Sequence, residues 1–559
     1  MMCRLAVWTT GVAVLCVVAP AAAADFYVDP EHGDMSGDGS VDAPWSSIQE
    51  VLDGGLVESQ DWAELPYAEG AELVPKNAGA PVKAGDTIWL RSGYYGELDI
   101  SSYYNPDFIT IAAEDGHTPE VSLVHVWASS HWIIRGLLVS AESAPTYEQH
   151  TLVALESHSW RGPVHDIAVE GCAVQSVDDA TGWSAEDWDS LACTGFQVAG
   201  TNMTIRDNSL RNVDFGISVS ATHSLIEGNT VDGFAGDGLR GLGDDTTFQY
   251  NTVKNCYDVN ENHDDGFQSW SVGADGEVGT GEVTGIVLRG NLILNYEDPA
   301  QPYRGTLQGI GCFDGMFVDW VVENNVVITD HWHGITLAGA RNARIVNNTV
   351  VDLNEDDPGP PWIRIGDHKD GTPSTDCLIA NNLAFSITSD DSPSVLIEDN
   401  LIIEDPYATF VDFDAHDLHL RADSPAVDSA NDDHAPEFDH DRIPRPQGAH
   451  SDVGAYEWHE PDVEPVAAGT GGYASGGTPG LGGSGGSGES HASESSTDEG
   501  SDDGGGCGCR MGQSRFGAGW LGGLVLVSLV GLCRRQPSWL PSSDSAPGRS
   551  TWVTRLASI

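Results

Sequence analysis

Between Asp237 and Lys369 the sequence concentrates side chains able to carry protons or hold charge: Asp237, Arg240, Glu261, His263, Asp264, Asp265, Gln268, Tyr303, Arg304, His331, His333, Arg364, Asp367, His368 and Lys369. The run Glu261-Asn-His-Asp-Asp265 offers carboxylate oxygens, from Glu261, Asp264 and Asp265, that suit calcium. It also offers paired carboxylates, one of which holds a proton because like charges repel. Three kinds of chemistry fit this set. In an elimination, calcium or an arginine neutralises a uronate carboxylate and so makes the neighbouring C5 proton more acidic. His333 or Lys369 is then the base, and Arg364 and Arg240 pair with substrate carboxylates. In a hydrolysis, Asp237, Asp264 and Asp265 supply the acid and the water-activating carboxylate, whose separation sets inversion or retention. In the third reading the same surface only binds glycan, as an adhesin does, because a fold does not fix a function. Gln268, Tyr303, Arg304, His331 and Thr336 complete the expected substrate contacts. The order of preference is elimination, hydrolysis, binding, each on an extracellular polysaccharide.

The elements that must position these residues are announced by a repeat. An apolar residue, two others, Asn, one other and a second apolar residue recur around Asn208, Asn229, Asn251, Asn291, Asn325, Asn348, Asn382 and Asn400. The unit is roughly 22 residues, with insertions in the longer copies, which is the signature of a solenoid whose units bury their apolar faces only against one another. β-Branched and aromatic residues alternating with polar ones make the units strands rather than helices. The expected fold is therefore all-β, a single-stranded parallel β-helix, with the Asn side chains stacked about 4.8 Å apart as a hydrogen-bonded ladder. Leu137 and Cys172 fall in the same column of earlier coils.

Each coil has a second strand: Gly216-Ile-Ser-Val, Gly238-Leu-Arg-Gly, Gly266-Phe-Gln-Ser, Gly309-Ile-Gly-Cys, Gly334-Ile-Thr-Leu and Trp362-Ile-Arg-Ile. Alternation sends Ile217, Leu239, Phe267, Ile310, Ile335 and Ile363 inward, and Ser218, Arg240, Gln268, Gly311, Thr336 and Arg364 outward. The glycines before these strands either face out, leaving a shallow groove for an extended ligand, or serve a bend. Insertions after Asn251, Asn291 and Asn348 cluster beside this strand and build walls, so the functional face is placed here.

The 559 residues carry 85 acidic and 25 basic side chains, a formal charge of -60. That excess excludes nucleic acid as a partner and repels other polyanions except where cations reverse the field. The protein is read as a monomer. Of the ten cysteines, Cys172, Cys193, Cys256, Cys312 and Cys377 lie in the body. Cys172 and Cys193 are a candidate bridge in an exported protein, and Cys172 and Cys377 also read as small buried hydrophobes.

In chain order, residues 1–24 have the Arg4, apolar run and Ala-rich end of a secretory signal. Residues 25–85 contain Tyr27-Val28, a polar Gly-Asp turn and Ala43-Pro44-Trp45-Ser-Ser-Ile48-Gln49, followed by Gly85-Asp-Thr-Ile-Trp-Leu-Arg-Ser-Gly-Tyr-Tyr95. These motifs resemble the cap and first coil of secreted right-handed parallel β-helix proteins of the pectate-lyase-like group, and the resemblance implies that fold. Asp34, Asp38 and Asp42 in the opening loop are either calcium ligands or turn residues. The β-helix is expected over 86–408. Residues 409–459, with Leu418-His-Leu-Arg-Ala-Asp-Ser-Pro-Ala-Val-Asp428, Asp441-Arg-Ile-Pro-Arg-Pro446 and Asp452-Val-Gly-Ala-Tyr-Glu457, resemble the closing segment called choice-of-anchor Q, expected to cover the last rung. Residues 460–506 are a Gly/Ser/acidic linker. Residues 507–535 combine Cys507-Gly-Cys509, an apolar run from Phe516 to Cys533 and Arg534-Arg535, which resembles a myxobacterial C-terminal sorting signal. That likeness implies a membrane-spanning helix, processing at Cys507 or Cys509 and display at the cell surface or outer membrane, or release from it. Residues 536–559 form a tail. Within the candidate site, Gly236-Asp-Gly, Asp264-Asp-Gly, His333-Gly-Ile and Arg364-Ile resemble polygalacturonase-type hydrolases, although Gly366 stands where that family places a lysine after Arg-Ile.

Overall fold

The computed structural model describes residues 23–466, apart from 355, 356, 390, 391, 393 and 462, together with the backbone of 508–511 and 531–534. Its body is a parallel β-helix with three faces. The first face has 13 strands, from Asp25–Val28 to Val395–Glu398; the second has 12, from Gly93–Tyr94 to Leu401–Ile402; the third has 11, from Glu97–Ser101 to Ser386–Thr388. Each complete coil visits the three faces in that order, and each strand pairs in parallel with its counterpart one coil on. A continuous core of Ile, Val, Leu and Phe fills the interior.

The Asn ladder is present over its whole length. Each amide Nδ2 donates to the Oδ1 of the next, in seven links of 2.9–3.0 Å from Asn208 to Asn400. Each Oδ1 also accepts the backbone N–H of the preceding ladder residue, as Asn291 N–H to Asn325 Oδ1 at 3.0 Å. Stacked amides thus satisfy buried polar groups at the corner between the first and second faces. The residue just before the ladder turns left-handed, at Asp207, Gly228, Tyr250, Gly290, Asn324, Asn347, Asn381 and Asp399. Cys172 takes the column as expected, its N–H bound to Asn208 Oδ1.

The glycine column serves the bend and faces inward. A Cβ on Gly238 would stand 2.3 Å from Val253 Cγ1, on Gly309 2.4 Å from Val327 Cγ1 and on Gly334 2.4 Å from Val350 Cγ1. The corner between the second and third faces brings this backbone onto the apolar residue two places after each ladder Asn, so the expected shallow groove does not form there.

Three further expectations change. Cys172 and Cys193 are free and buried, as are Cys256, Cys312 and Cys377. Cys172 is fixed in the ladder corner, while Cys193 packs beside Tyr147 at the next one. Parallel stacking starts at Asp25–Val28, which pairs with Thr87–Leu90, within the stretch read as a cap. Asp34 and Asp38 accept the N–H of Ser36 and Ser40, as turn residues do. The 409–459 segment lies along the outside of the second face: Phe410, Leu418, Leu420, Val453 and Tyr456 pack on Leu294, Val326, Ile328, Val351 and Leu383. It covers an apolar flank, while Leu396, Ile397 and Ile402 of the final coil stay exposed.

The signal segment 1–22 and most of the expected linker and anchor lie outside the described residues. Among those described, no helix is long and apolar enough to cross a membrane. Gly531–Arg534, at the end of the expected span, pairs as an antiparallel strand with Gly508–Met511.

Candidate functional site

The third face carries its outward row in the expected register. Ser218 pairs with Arg240, Arg240 with Gln268, Gln268 with Gly311, Gly311 with Thr336 and Thr336 with Arg364. Parallel stacking of one alternating strand leaves this row no other course. The insertions after these strands stack in turn, so that Glu282–Thr284, Met316–Val318 and Ala340–Arg341 make a short extra sheet along one border. The loop after Asn251 forms the opposite wall, braced where Tyr257 stacks on Trp188 with centroids 4.3 Å apart.

Around the earlier members of this row, Arg240 and Gln268, lies an enclosed polar cluster. Arg240 Nε donates to Asp237 Oδ2 at 2.5 Å, with 3% and 1% of the two side chains exposed, and the guanidinium lies over Phe215. Asp237 Oδ1 accepts the N–H of Asp265. His263 Nδ1 stands 3.0 Å from Asp265 Oδ2, which also accepts from Gln268 Nε2 at 2.8 Å. Burial holds the Asp265 carboxyl well above the usual carboxylate range; His263 draws it back and Asp237 pushes it further up. Asp265 Oδ1 and Gln308 Oε1 are buried without hydrogen-bond partners, and both border the side-chain gap at Gly311.

Around the later members, Thr336 and Arg364, is a more open group. His333 Nδ1 lies 3.0 Å from Thr336 Oγ1, which also accepts from Trp362 Nε1 at 3.0 Å. His331 Nδ1 accepts the His333 N–H, and the two rings stack 5.2 Å apart. Burial, then His331, Arg364 and His263, lower the His333 pKa to about 3, so this imidazole is neutral in ordinary solution. Arg364 sits over the Trp362 ring, which stacks at 6.3 Å on the exposed Trp332.

His333, Thr336, Arg364 and His331 therefore come together, and Asp237, Arg240, Asp265 and Gln268 form the enclosed cluster. Arg364 pairs with Thr336, not with His333, so His333 and Arg364 meet diagonally. Other expected members go elsewhere. Lys369 is ion-paired with Asp314, which removes it as a free base. Arg240 is sealed by Asp237 and cannot meet a substrate carboxylate. Asp264 binds Asn262 Nδ2 and the Cys256 thiol on the opposite side of the chain from Asp265, and burial raises its pKa well above normal. Glu261 is exposed on the loop, so Glu261, Asp264 and Asp265 do not converge and do not fit a calcium ion. Arg304 turns over Tyr296, while Tyr303 is exposed in the wall. Asp367 caps Ser374 and Ser392, and His368 binds Asp370. Trp332, Trp362, Gln308 and Phe313, whose ring meets that of His333 edge-on at 4.7 Å, are missing from the site residues expected of the sequence. The exposed Trp332, one place before His333, was the available signal.

A family model described as "Right handed beta helix region" matches residues 194–357, the stretch that holds most of this site. The fold is a right-handed parallel β-helix. No curated protein matches the sequence. Solved structures similar to this chain include pectate lyase Pel9A, at 14% identity over 78% of this chain and 97% of that one with a TM-score of 0.38. They also include a rhamnogalacturonan lyase, at 12% identity over 70% and 91% with a TM-score of 0.36. A third is the A-module of mannuronan C-5 epimerase AlgE4 from Azotobacter vinelandii, at 13% identity over 56% and 83% with a TM-score of 0.36.

Proposed function

We propose that the third face binds an extended, uronate-containing polysaccharide and cleaves it by β-elimination, with His333 as the base. The observation that carries this reading is the neutral His333 imidazole, fixed through Nδ1 by Thr336 and set diagonally to Arg364 beside the exposed Trp332. A base must be unprotonated before the reaction, and burial keeps His333 so. Arrival of an anionic sugar reverses the local field, raises the basicity of the ring and lets Nε2 take the C5 proton, while the C4–C5 double bond forms, the glycosidic C4–O bond breaks and the departing oxygen takes a proton from water. Arg364 balances the uronate charge, and the Trp332–Trp362 stack receives the apolar face of a sugar ring. Export and surface attachment, inferred from residues 1–24 and 507–535, belong to the same proposal.

Hydrolysis is the second reading, and one observation favours it: the raised pKa of Asp265 suits a general acid. Its partner carboxylates are poorly placed, because Asp237 is enclosed by Arg240 and Asp264 points away.

The test incubates the purified full chain with a panel of acidic and neutral polysaccharides, following ultraviolet absorbance of unsaturated ends together with reducing ends. Absorbance supports elimination. Reducing ends without absorbance replace it with hydrolysis, and retention of glycan with neither signal replaces both with binding. His333→Ala is expected to lower kcat by about 10²- to 10⁴-fold with the thermal transition kept, and unchanged turnover rejects this base.

A further inference from the structure

A second cluster lies several coils before this site, at the corner where the third face passes into the first. Turn residues with positive φ stack there coil upon coil, His131, Asp166, Asn202, His223 and Asp245 among them. Local backbone needs account for Asn, Asp and His in such a column, and one ligand per rung, about 4.8 Å apart, makes a poor metal site. One coil departs from this pattern. His165, paired with Ser130, stands directly before Asp166, so His131, His165 and Asp166 each bring one donor atom within 4.8 Å of the other two.

The three donors are also aimed. Ser130 Oγ lies 3.2 Å from His131 Nδ1, leaving His131 Nε2 toward Asp166 Oδ2 at 4.0 Å. Asn202 Nδ2 holds Asp166 Oδ1 at 3.2 Å, leaving Oδ2 for His165 Nδ1 at 2.7 Å. Partners outside the ligand set that fix ring and carboxylate orientation are what a metal centre needs. Tetrahedral ligands at zinc distances are about 3.4 Å apart, and the separations of 2.7 and 4.0 Å straddle that value. The three side chains are 28–30% exposed, so a fourth position opens to solvent.

We propose that His131, His165 and Asp166 bind one divalent transition-metal ion of the zinc class, joining two successive coils. Two imidazoles and one carboxylate favour zinc, cobalt, nickel or copper over calcium or magnesium, which take oxygen donors. The ion takes the place of the direct contact between His165 Nδ1 and Asp166 Oδ2. The neighbouring column pair His223–Asp245, 3.4 Å apart, has no third donor among the described residues and serves as an internal control. The other three-donor group, Glu398, Asp399 and His434, brings one imidazole instead of two and so suits such ions less well.

The test uses the full chain without a histidine tag, stripped with chelator and titrated with Co²⁺ by visible absorption and with Zn²⁺ by calorimetry and thermal shift. The expected result is one Co²⁺ per chain with d–d absorption, displaced by Zn²⁺ but not by excess Ca²⁺, and a transition that rises with Zn²⁺. His131→Asn and Asp166→Asn keep a residue that tolerates positive φ, and with His165→Gln each is expected to weaken affinity at least about tenfold. His223→Asn and His434→Gln are expected to leave it unchanged. Absence of binding at micromolar metal, undiminished affinity in the three ligand variants, or loss in His434→Gln instead would overturn the assignment.

Discussion

Asp237 and Arg240 hold each other at 2.5 Å with almost no surface left to solvent, three residues apart on one strand entry. An arginine so placed is structural, whatever its position on the outward row suggests. Arg240→Ala leaves Asp237 as an uncompensated buried charge and is expected to cost about 3–5 kcal/mol. Asp237→Asn with Arg240→Met recovers most of that loss, since Asn still accepts the Asp265 N–H. Urea midpoints with unchanged slopes check both values, and a stable Arg240→Ala protein refutes the buried pair.

The ladder has its own cost. Asn325 accepts from Asn291 N–H and Nδ2 and donates to Leu288 O and Asn348 Oδ1, with no surface exposed. Asn325→Ala orphans those buried partners and is expected to lower stability by about 1–3 kcal/mol. Chemical denaturation measures it, and a neutral result shows that the amides are only turn formers.

Those two sites also mark what was legible in the sequence. The ladder and the outward row from Ser218 to Arg364 could be read because strand alternation and parallel register are periodic, so local pattern and global structure agree. Side-chain partners reached through loops could not be read. Lys369 finds Asp314 in the preceding wall, and Asp264 turns to Cys256, because insertion loops have no period. The direction of the glycine column depends on a Cβ that is absent, and becomes visible only against Val253, Val327 and Val350. The closing segment has the expected motifs but follows the outer side of the second face, where Leu294, Val326, Ile328, Val351 and Leu383 give it an apolar strip to bury.

Two glycines on one strand separate fold from site. On Gly309 a Cβ would stand 2.4 Å from Val327 Cγ1 and 2.3 Å from Gly334 O, whereas on Gly311 it would stand 2.1 Å from Asp265 Oδ1 and 2.8 Å from Gln308 Oε1. Gly309→Ala is expected to lower stability by about 1–3 kcal/mol through overpacking. On the hydrolysis reading, in which Asp265 is the acid, Gly311→Ala is expected to reduce turnover at least about tenfold with a smaller change in melting, by displacing the Asp265 carboxyl. Thermal melts and steady-state rates on both variants decide this, and equal effects on melting contradict the division.

Asp214 gives a pH dependence opposite in sign to that of an ordinary carboxylate. Burial, with Asp189 and Asp237 adding to it and Arg240 opposing, raises its pKa to about 7. The folded protein therefore keeps a proton that the unfolded chain releases near pH 4. The contribution is fully present below that pH and is lost as pH rises toward 7 and beyond, to a limit of about 4 kcal/mol for a wholly buried group and less here, because Asp214 keeps some exposed surface. Asp214→Asn removes the titration. It is expected to show a shallower fall in stability between pH 5 and pH 8 and to be more stable than the parent at pH 8, as measured by urea unfolding across that range. Parallel pH profiles for the two proteins would mean that Asp214 ionises freely in the fold.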